Sequence, residues 1–129
     1  MYLLDTDVII WVLRNKKEVI ESVSKLKDKD PLAISTITIA EIYMNVFPAE
    51  IPTTEEFLYK HIICDVDDLT AKQGGLYWQQ YTKNFSSLSL ADCLIAATAR
   101  TNNLTLVSLN TRHFPMKDVK VLNPLEFVK

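Results

Sequence analysis

A chain of 129 residues with 48% hydrophobic content can bury a core without disulfide or metal staples, and it is expected to form one domain over residues 1–129. Its formal net charge of -2, with 23% charged residues, supplies no global basic field, so any polyanion must be held by a local patch or through a metal. No apolar run approaches the ~18 residues that span a bilayer, and Cys64 and Cys93 lie in apolar contexts without CxxC spacing. This excludes membrane-spanning helices and predicts reduced, structural thiols in a chain that stays in the cytoplasm.

Tyr2–Leu4 is too short for a signal-peptide core and reads as a buried central strand with Asp5 at its carboxyl end. Ligands bind at that edge in open α/β sheets. A carboxylate beside an apolar strand needs a backbone donor, a basic group or a cation, although capping of the next helix by Asp5 or Thr6 would also account for it. Residues 7–13 form a short helix followed by the polar corner Arg14, Asn15, Lys16 and Lys17. Val19, Ile20, Val23 and Leu26 then make the stripe of an amphipathic helix, closed by Asp28, Lys29, Asp30 and Pro31. Leu32–Ser35 is a second strand.

Thr38 and Glu41 have the spacing of a capping box, which predicts a helix from Thr38 to about Phe47, stopped by Pro48. Pro52 to Glu56 opens another short helix, and residues 61–66 read as a third strand, apolar on both faces like one inside a parallel sheet. His61, with no nucleophile or second ligand at metal spacing, reads as structural or surface. Asp67 and Asp68 precede a helix over residues 69–81. Gly74 and Gly75 inside it cost on the order of 1 kcal/mol each relative to alanine, so the pair is expected to permit close packing or a bend. Tyr77, Trp78 and Tyr81 read as core or subunit contact rather than a base-stacking surface. After a loop over 83–87, Ser89 caps a helix reaching Arg100, with Asp92 in its first turn where the helix dipole favours an anion. Ala96, Ala97 and Ala99 imply that this helix is packed on most sides. Asn102 and Asn103 end it, residues 104–107 form a fourth strand, 110–115 a loop, 119–122 a fifth strand and 124–127 a closing turn.

Strands alternating with helices predict an α/β fold with a parallel sheet. In that arrangement Asp5, Glu41, Asp92 and Asn110 can face one edge, and hard oxygens there suit Mg²⁺ or Mn²⁺.

Leu3-Leu4-Asp5-Thr6-Asp7, Ser35-x-x-Thr38-x-x-Glu41-Ile42, the run Leu90-Ala91-Asp92-x-x-Ile95-Ala96-Ala97-x-Ala99, and Leu106-Val107-Ser108-x-Asn110-Thr111-Arg112-His113-Phe114 together carry a resemblance. The chain resembles the PIN-domain ribonucleases, and within them the VapC-type toxins of toxin–antitoxin pairs. The resemblance implies a five-stranded parallel sheet flanked by helices and Mg²⁺- or Mn²⁺-dependent endonucleolytic cleavage of RNA. By the same resemblance Asp5 and Asp92 match metal ligands, Glu41 matches an acid that reaches the metal through water, and Asn110 stands where aspartate is common. Asp7 departs from the usual asparagine or serine; it either widens the metal site or caps the first helix. Thr6, Arg14, Lys16, Lys17 and Arg112 are candidate substrate contacts. The expected partners are a cognate antitoxin and a second copy of the chain, with Trp11, Ile42, Tyr43, Val46 and Phe47 as apolar anchors for the antitoxin, or as core or homodimer contact. A catalytically silent PIN domain that only binds RNA or a partner is the alternative. A small phosphatase or response-regulator-like domain with Asp5 as phosphate acceptor fits less well, since Ser108-Leu109-Asn110 stands where such domains usually place a lysine.

Overall fold

The computed structural model describes residues 1–127. Their strands β1 (Tyr2–Leu4), β2 (Leu32–Ser35), β3 (Ile62–Cys64), β4 (Thr105–Val107) and β5 (Val121–Leu122) form one five-stranded sheet in the order β3-β2-β1-β4-β5. Every pairing is parallel, with Tyr2 opposite both Leu32 and Thr105. The helices are α1 (Thr6–Leu13), α2 (Lys17–Lys29), α3 (Thr36–Tyr43), α4 (Ile51–Leu58), α5 (Asp68–Tyr81), α6 (Leu90–Thr101) and α7 (Pro124–Phe127).

Strand side chains alternate between faces, and this splits the core in two. Leu3, Ala33 and Leu106 point to one side, where Tyr77 of α5 and Ile95, Ala96 and Ala99 of α6 cover them. Leu4, Ile34 and Val107 point to the other, against Val8 and Ile9 of α1, Val19, Val23 and Leu26 of α2, and Ile42 and Leu58. Both faces of β1 and β2 are therefore dry, which is why those strands read as unbroken apolar runs. The alanines of α6 let it lie close to α5, and Gly74 marks the contact: a β-carbon there would stand 2.5 Å from Leu94 Cδ2.

Several expectations from sequence need correction. Ser35, not Thr38, caps α3, accepting from the Ile37 amide at 3.1 Å, and the helix ends at Tyr43 rather than near Phe47. Thr38 instead lies one turn in, fully buried. Residues 61–66 do not form an interior strand: β3 is the three-residue edge of the sheet, with Ile62 45% exposed, because it pairs with β2 on one side and no described strand lies on the other. The fifth strand is Val121–Leu122 alone, since Val119 closes a turn onto the Met116 carbonyl. Ile20, expected on the buried stripe of α2, is 38% exposed, and Ser22 is buried instead, its hydroxyl satisfied by the Glu18 carbonyl at 2.7 Å. His61 is structural as expected, its Nδ1 3.0 Å from the Phe57 carbonyl oxygen. Both cysteines are free thiols.

Candidate active site

The chain runs outward from β1 to β2 and β3, then crosses back to place β4 on the other side of β1. The direction of winding reverses between β1 and β4, and the crevice outside their carboxyl ends is where such sheets bind ligands. Asp5 and Asp7 follow β1 there, and Ser108, Leu109 and Asn110 follow β4.

Asp5 is the N-cap of α1 and is only 7% exposed. Its Oδ1 accepts from the Thr6 amide at 2.8 Å and its Oδ2 from the Ser108 hydroxyl at 2.9 Å. Those bonds favour the charged form, but burial outweighs them and pushes the carboxyl up to about 7, with the charges of Asp7 and Asp92 adding to the rise. The capping role and the anomalous charge belong to the same residue. Asp7, in the first turn of α1, reaches across to β4 and accepts from the Leu109 amide at 3.2 Å, with Ser108 Oγ at 3.4 Å. Burial raises its carboxyl as well.

Glu41 is not occupied in capping. Half-buried on α3, it accepts at Oε1 from the Thr6 hydroxyl at 2.7 Å, and that hydroxyl lies 3.2 Å from Thr38 Oγ1. Thr6 thus links the acid on α3 to the end of β1. Asp92, at the third position of α6, completes a reciprocal box with Ser89: its amide donates to Ser89 Oγ at 3.1 Å, while Oδ2 accepts from the Ser89 amide and hydroxyl at 3.0 and 2.8 Å. His113 Nε2 lies 2.7 Å from the same oxygen. Asn110 is exposed at the rim, where its backbone amide donates to Ser108 Oγ at 3.1 Å.

The acids share one edge, but among the described residues no three carboxylate, histidine or cysteine side chains are gathered closely enough to enclose an ion. Each acid is instead held by neighbouring donors. Asp5 and Asp7 share Ser108, Glu41 takes Thr6, and Asp92 takes Ser89 and His113.

Arg14, Lys16, Lys17 and Arg112 are all exposed. Arg14 and Lys16 both lie over the Trp11 ring, at 5.7 and 4.6 Å from its centroid, so this basic corner is ordered around an aromatic plate that is itself 37% exposed. Ile42 is buried in the core, while Val46 and Phe47 lie beyond α3 in the connection to α4. With Ile10, Leu13, Arg14 and Glu41, Ile42, Val46 and Phe47 line a groove of about 600 Å³. Tyr43 packs half-buried against the core outside that lining, and Trp11 is also outside it.

A model of the PIN-domain family matches residues 2–120. The chain belongs to the PIN-domain family. Among PIN-domain relatives, Ribonuclease VapC10 of Mycobacterium tuberculosis is 32% identical over 116 residues, covering 90% of this chain and 87% of its own length. Ribonuclease VapC2 of Haemophilus influenzae is also 32% identical, over 119 residues and 88% and 89% of the two chains. The PIN fold here matches a chain of the DNA-bound VapBC structure from Salmonella typhimurium with a TM-score of 0.81 at 25% identity, over 95% of this chain and 97% of that one.

Sequence reasoning passed over Ser108 and His113 as individual site residues. Ser108 had one usable signal, its place directly after an apolar strand, the same place Asp5 holds after β1. The contact of His113 with Asp92 spans 21 residues and has no local signature.

Proposed function

We propose that this PIN-domain chain is a divalent-metal-dependent endoribonuclease, the toxin of a toxin–antitoxin pair, and that it hydrolyses RNA phosphodiester bonds at the carboxyl edge of β1 and β4. The observation that carries the reading is the state of Asp5, a carboxyl in a nearly dry site whose charge is opposed by burial, Asp7 and Asp92. A cation at this edge would reverse that balance. The donors present fit Mg²⁺ or Mn²⁺, which prefer hard oxygens: carboxylates from Asp5 and Asp92, with Glu41 contributing through water and Asn110 offering an uncharged oxygen at the rim. The similarity to relatives named as VapC ribonucleases and to a VapBC complex supports the RNA substrate and the antitoxin partner.

A bound ion of this kind supplies Lewis-acid polarisation of the scissile phosphate and an activated water at neutral pH. The chain's own residues do the rest. Ser108 and the Thr6 amide hold both oxygens of Asp5 in place. Thr6 fixes Glu41 through Oε1, which leaves Oε2 as the acceptor for the proton of the attacking water. Arg14, Lys16, Lys17 and Arg112 line the approach for the RNA backbone, which an acidic centre in a chain of net charge -2 would otherwise repel.

The antitoxin occupies the groove lined by Ile10, Leu13, Val46 and Phe47, whose wall includes Glu41, so a segment seated there lies beside an acid of the site. A homodimer belongs to the same reading, since α5 leaves Leu69 and Leu76, two turns apart, 65% and 47% exposed. Cleavage of RNA by the purified chain with Mg²⁺ or Mn²⁺, its arrest by EDTA, and its loss in Asp5→Asn and in Asp92→Asn are the expected results. Near wild-type cleavage by either variant at matched metal would remove the site assignment.

A further inference from the structure

Asp92 is held by one oxygen only. Three donors converge on Oδ2, the Ser89 amide at 3.0 Å, the Ser89 hydroxyl at 2.8 Å and His113 Nε2 at 2.7 Å. Oδ1 enters no hydrogen bond among the described residues. No buried side-chain oxygen among them lacks a partner, so Oδ1 is in contact with solvent rather than sealed in the interior. A carboxylate only accepts, which makes Nε2 the donor.

His113 is well placed to hold that position. It closes a 3-10 turn over Thr111–His113, its amide bonded to the Asn110 carbonyl at 3.1 Å, and its ring meets buried Phe114 edge-on at 5.6 Å. The imidazole is 25% exposed and the Asp92 side chain 17%, so the bond is made in a partly dry setting. Two roles are chemically open to such a histidine. A latch would engage the oxygen that a ligand needs, whereas a support engages the other one. Here the histidine joins the oxygen that Ser89 already engages, and the other oxygen is left to solvent.

We propose that His113 is a positioning residue that orients Asp92 for metal capture, clamping Oδ2 so that Oδ1 is presented to the ion. The proposal rests on the reading of Asp92 as a metal ligand. Hydrogen bonds to ligating groups fix their orientation, and losing one costs ~10–100-fold in metal affinity. Glutamine, whose side-chain amide nitrogen reaches as far as Nε2, replaces the donor; asparagine, one bond shorter, does not.

The test is a Mn²⁺ titration of the full chain without RNA, followed by the paramagnetic resonance signal of free Mn²⁺. Wild type is compared with His113→Ala, His113→Gln and His113→Asn, with folding checked by circular dichroism in EDTA. The expected result is about tenfold weaker binding in His113→Ala and His113→Asn, with His113→Gln within about threefold of wild type. The paired amide variants keep a readout if the alanine variant does not fold. Equal or tighter Mn²⁺ binding by His113→Asn, or failure of glutamine to restore it, overturns the role of His113 while the metal site stands. A wild-type chain that takes up no Mn²⁺ overturns both.

Discussion

At the level of single residues, the decisive fact is that Asp5 is buried as an acid among acids. Burial first, then Asp7 and Asp92, lift its folded pKa to about 7 from 3.8. A carboxyl raised in this way binds its proton more tightly when folded, so its contribution to stability is complete below about pH 4 and is lost as pH rises through about 7. Asp7 is shifted in the same direction and adds to the loss. Metal-free protein is therefore expected to become less stable between pH 4 and pH 7.5 on this account. Asp5→Asn, which removes the buried charge and keeps an oxygen for the Thr6 amide, should be more stable than wild type at pH 7.5 by on the order of 1–3 kcal/mol. The difference should vanish near pH 4. Urea unfolding in EDTA at both pH values measures it, and a variant less stable than wild type at pH 7.5 would show that Asp5 is held as a satisfied anion.

At the level of elements, α5 and α6 provide a paired test of what the two glycines do. A β-carbon at Gly74 would meet Leu94 Cδ2 at 2.5 Å and its Cα at 3.3 Å, so a rotamer change alone does not make room. At Gly75 it would meet nothing within 4 Å. Gly75→Ala is expected to stabilise the protein by about 0.5–1 kcal/mol through helix propensity. Gly74→Ala should destabilise it by about 1–2 kcal/mol, because overpacking exceeds the same propensity gain. Thermal melts of the two variants decide this, and a stabilising Gly74→Ala would mean that α5 and α6 separate easily. The end of α1 carries a different prediction. Trp11 gathers Arg14 and Lys16 into one corner, and if RNA phosphates sit there, a triple alanine variant of Arg14, Lys16 and Lys17 should bind RNA more weakly. Its plot of log affinity against log salt should also flatten by ~0.7 for each phosphate that the variant no longer neutralises. An unchanged slope removes this corner from the substrate path.

At the level of the whole molecule, the groove and the acidic edge meet at Glu41. A segment that folds into the groove must bury apolar side chains to offset its ordering entropy, and Val46 and Phe47, the latter 71% exposed, are there to receive them. An arginine carried on it would be drawn to Asp5, Glu41 and Asp92 by charge-assisted hydrogen bonds and would compete with the metal. Inhibition of RNA cleavage by the antitoxin should accordingly weaken as Mg²⁺ or Mn²⁺ is raised. Dose-response curves at several metal concentrations test this, and inhibition that is unchanged at saturating metal would place the antitoxin away from the acidic edge.

Local features of this chain were legible because they depend on neighbours in sequence. The apolar run Leu32–Ser35 is a strand as read, and Ser89 with Asp92 forms the box its spacing suggested. Asn103, read as a helix stop, adopts the left-handed φ of 54° that asparagine tolerates. The PIN-family motifs were equally visible, since they are spaced along the chain. What sequence could not reveal was which groups meet. Thr38 and Glu41 have the right spacing for a box, but Ser35 reaches the helix start first and Glu41 turns to Thr6, 35 residues away. The apolar character of residues 61–66 suggested an interior strand, yet interior or edge status depends on strand order, and a crossover sends the chain back past β1. The bond from Ser108 to Asp5 joins residues 103 apart. Periodicity and capping are properties of a single helix or strand. The charge of Asp5 and the support of Asp92 arise only when β1, β4 and α6 are brought to one edge, and packing of the two apolar faces of the sheet is what brings them there.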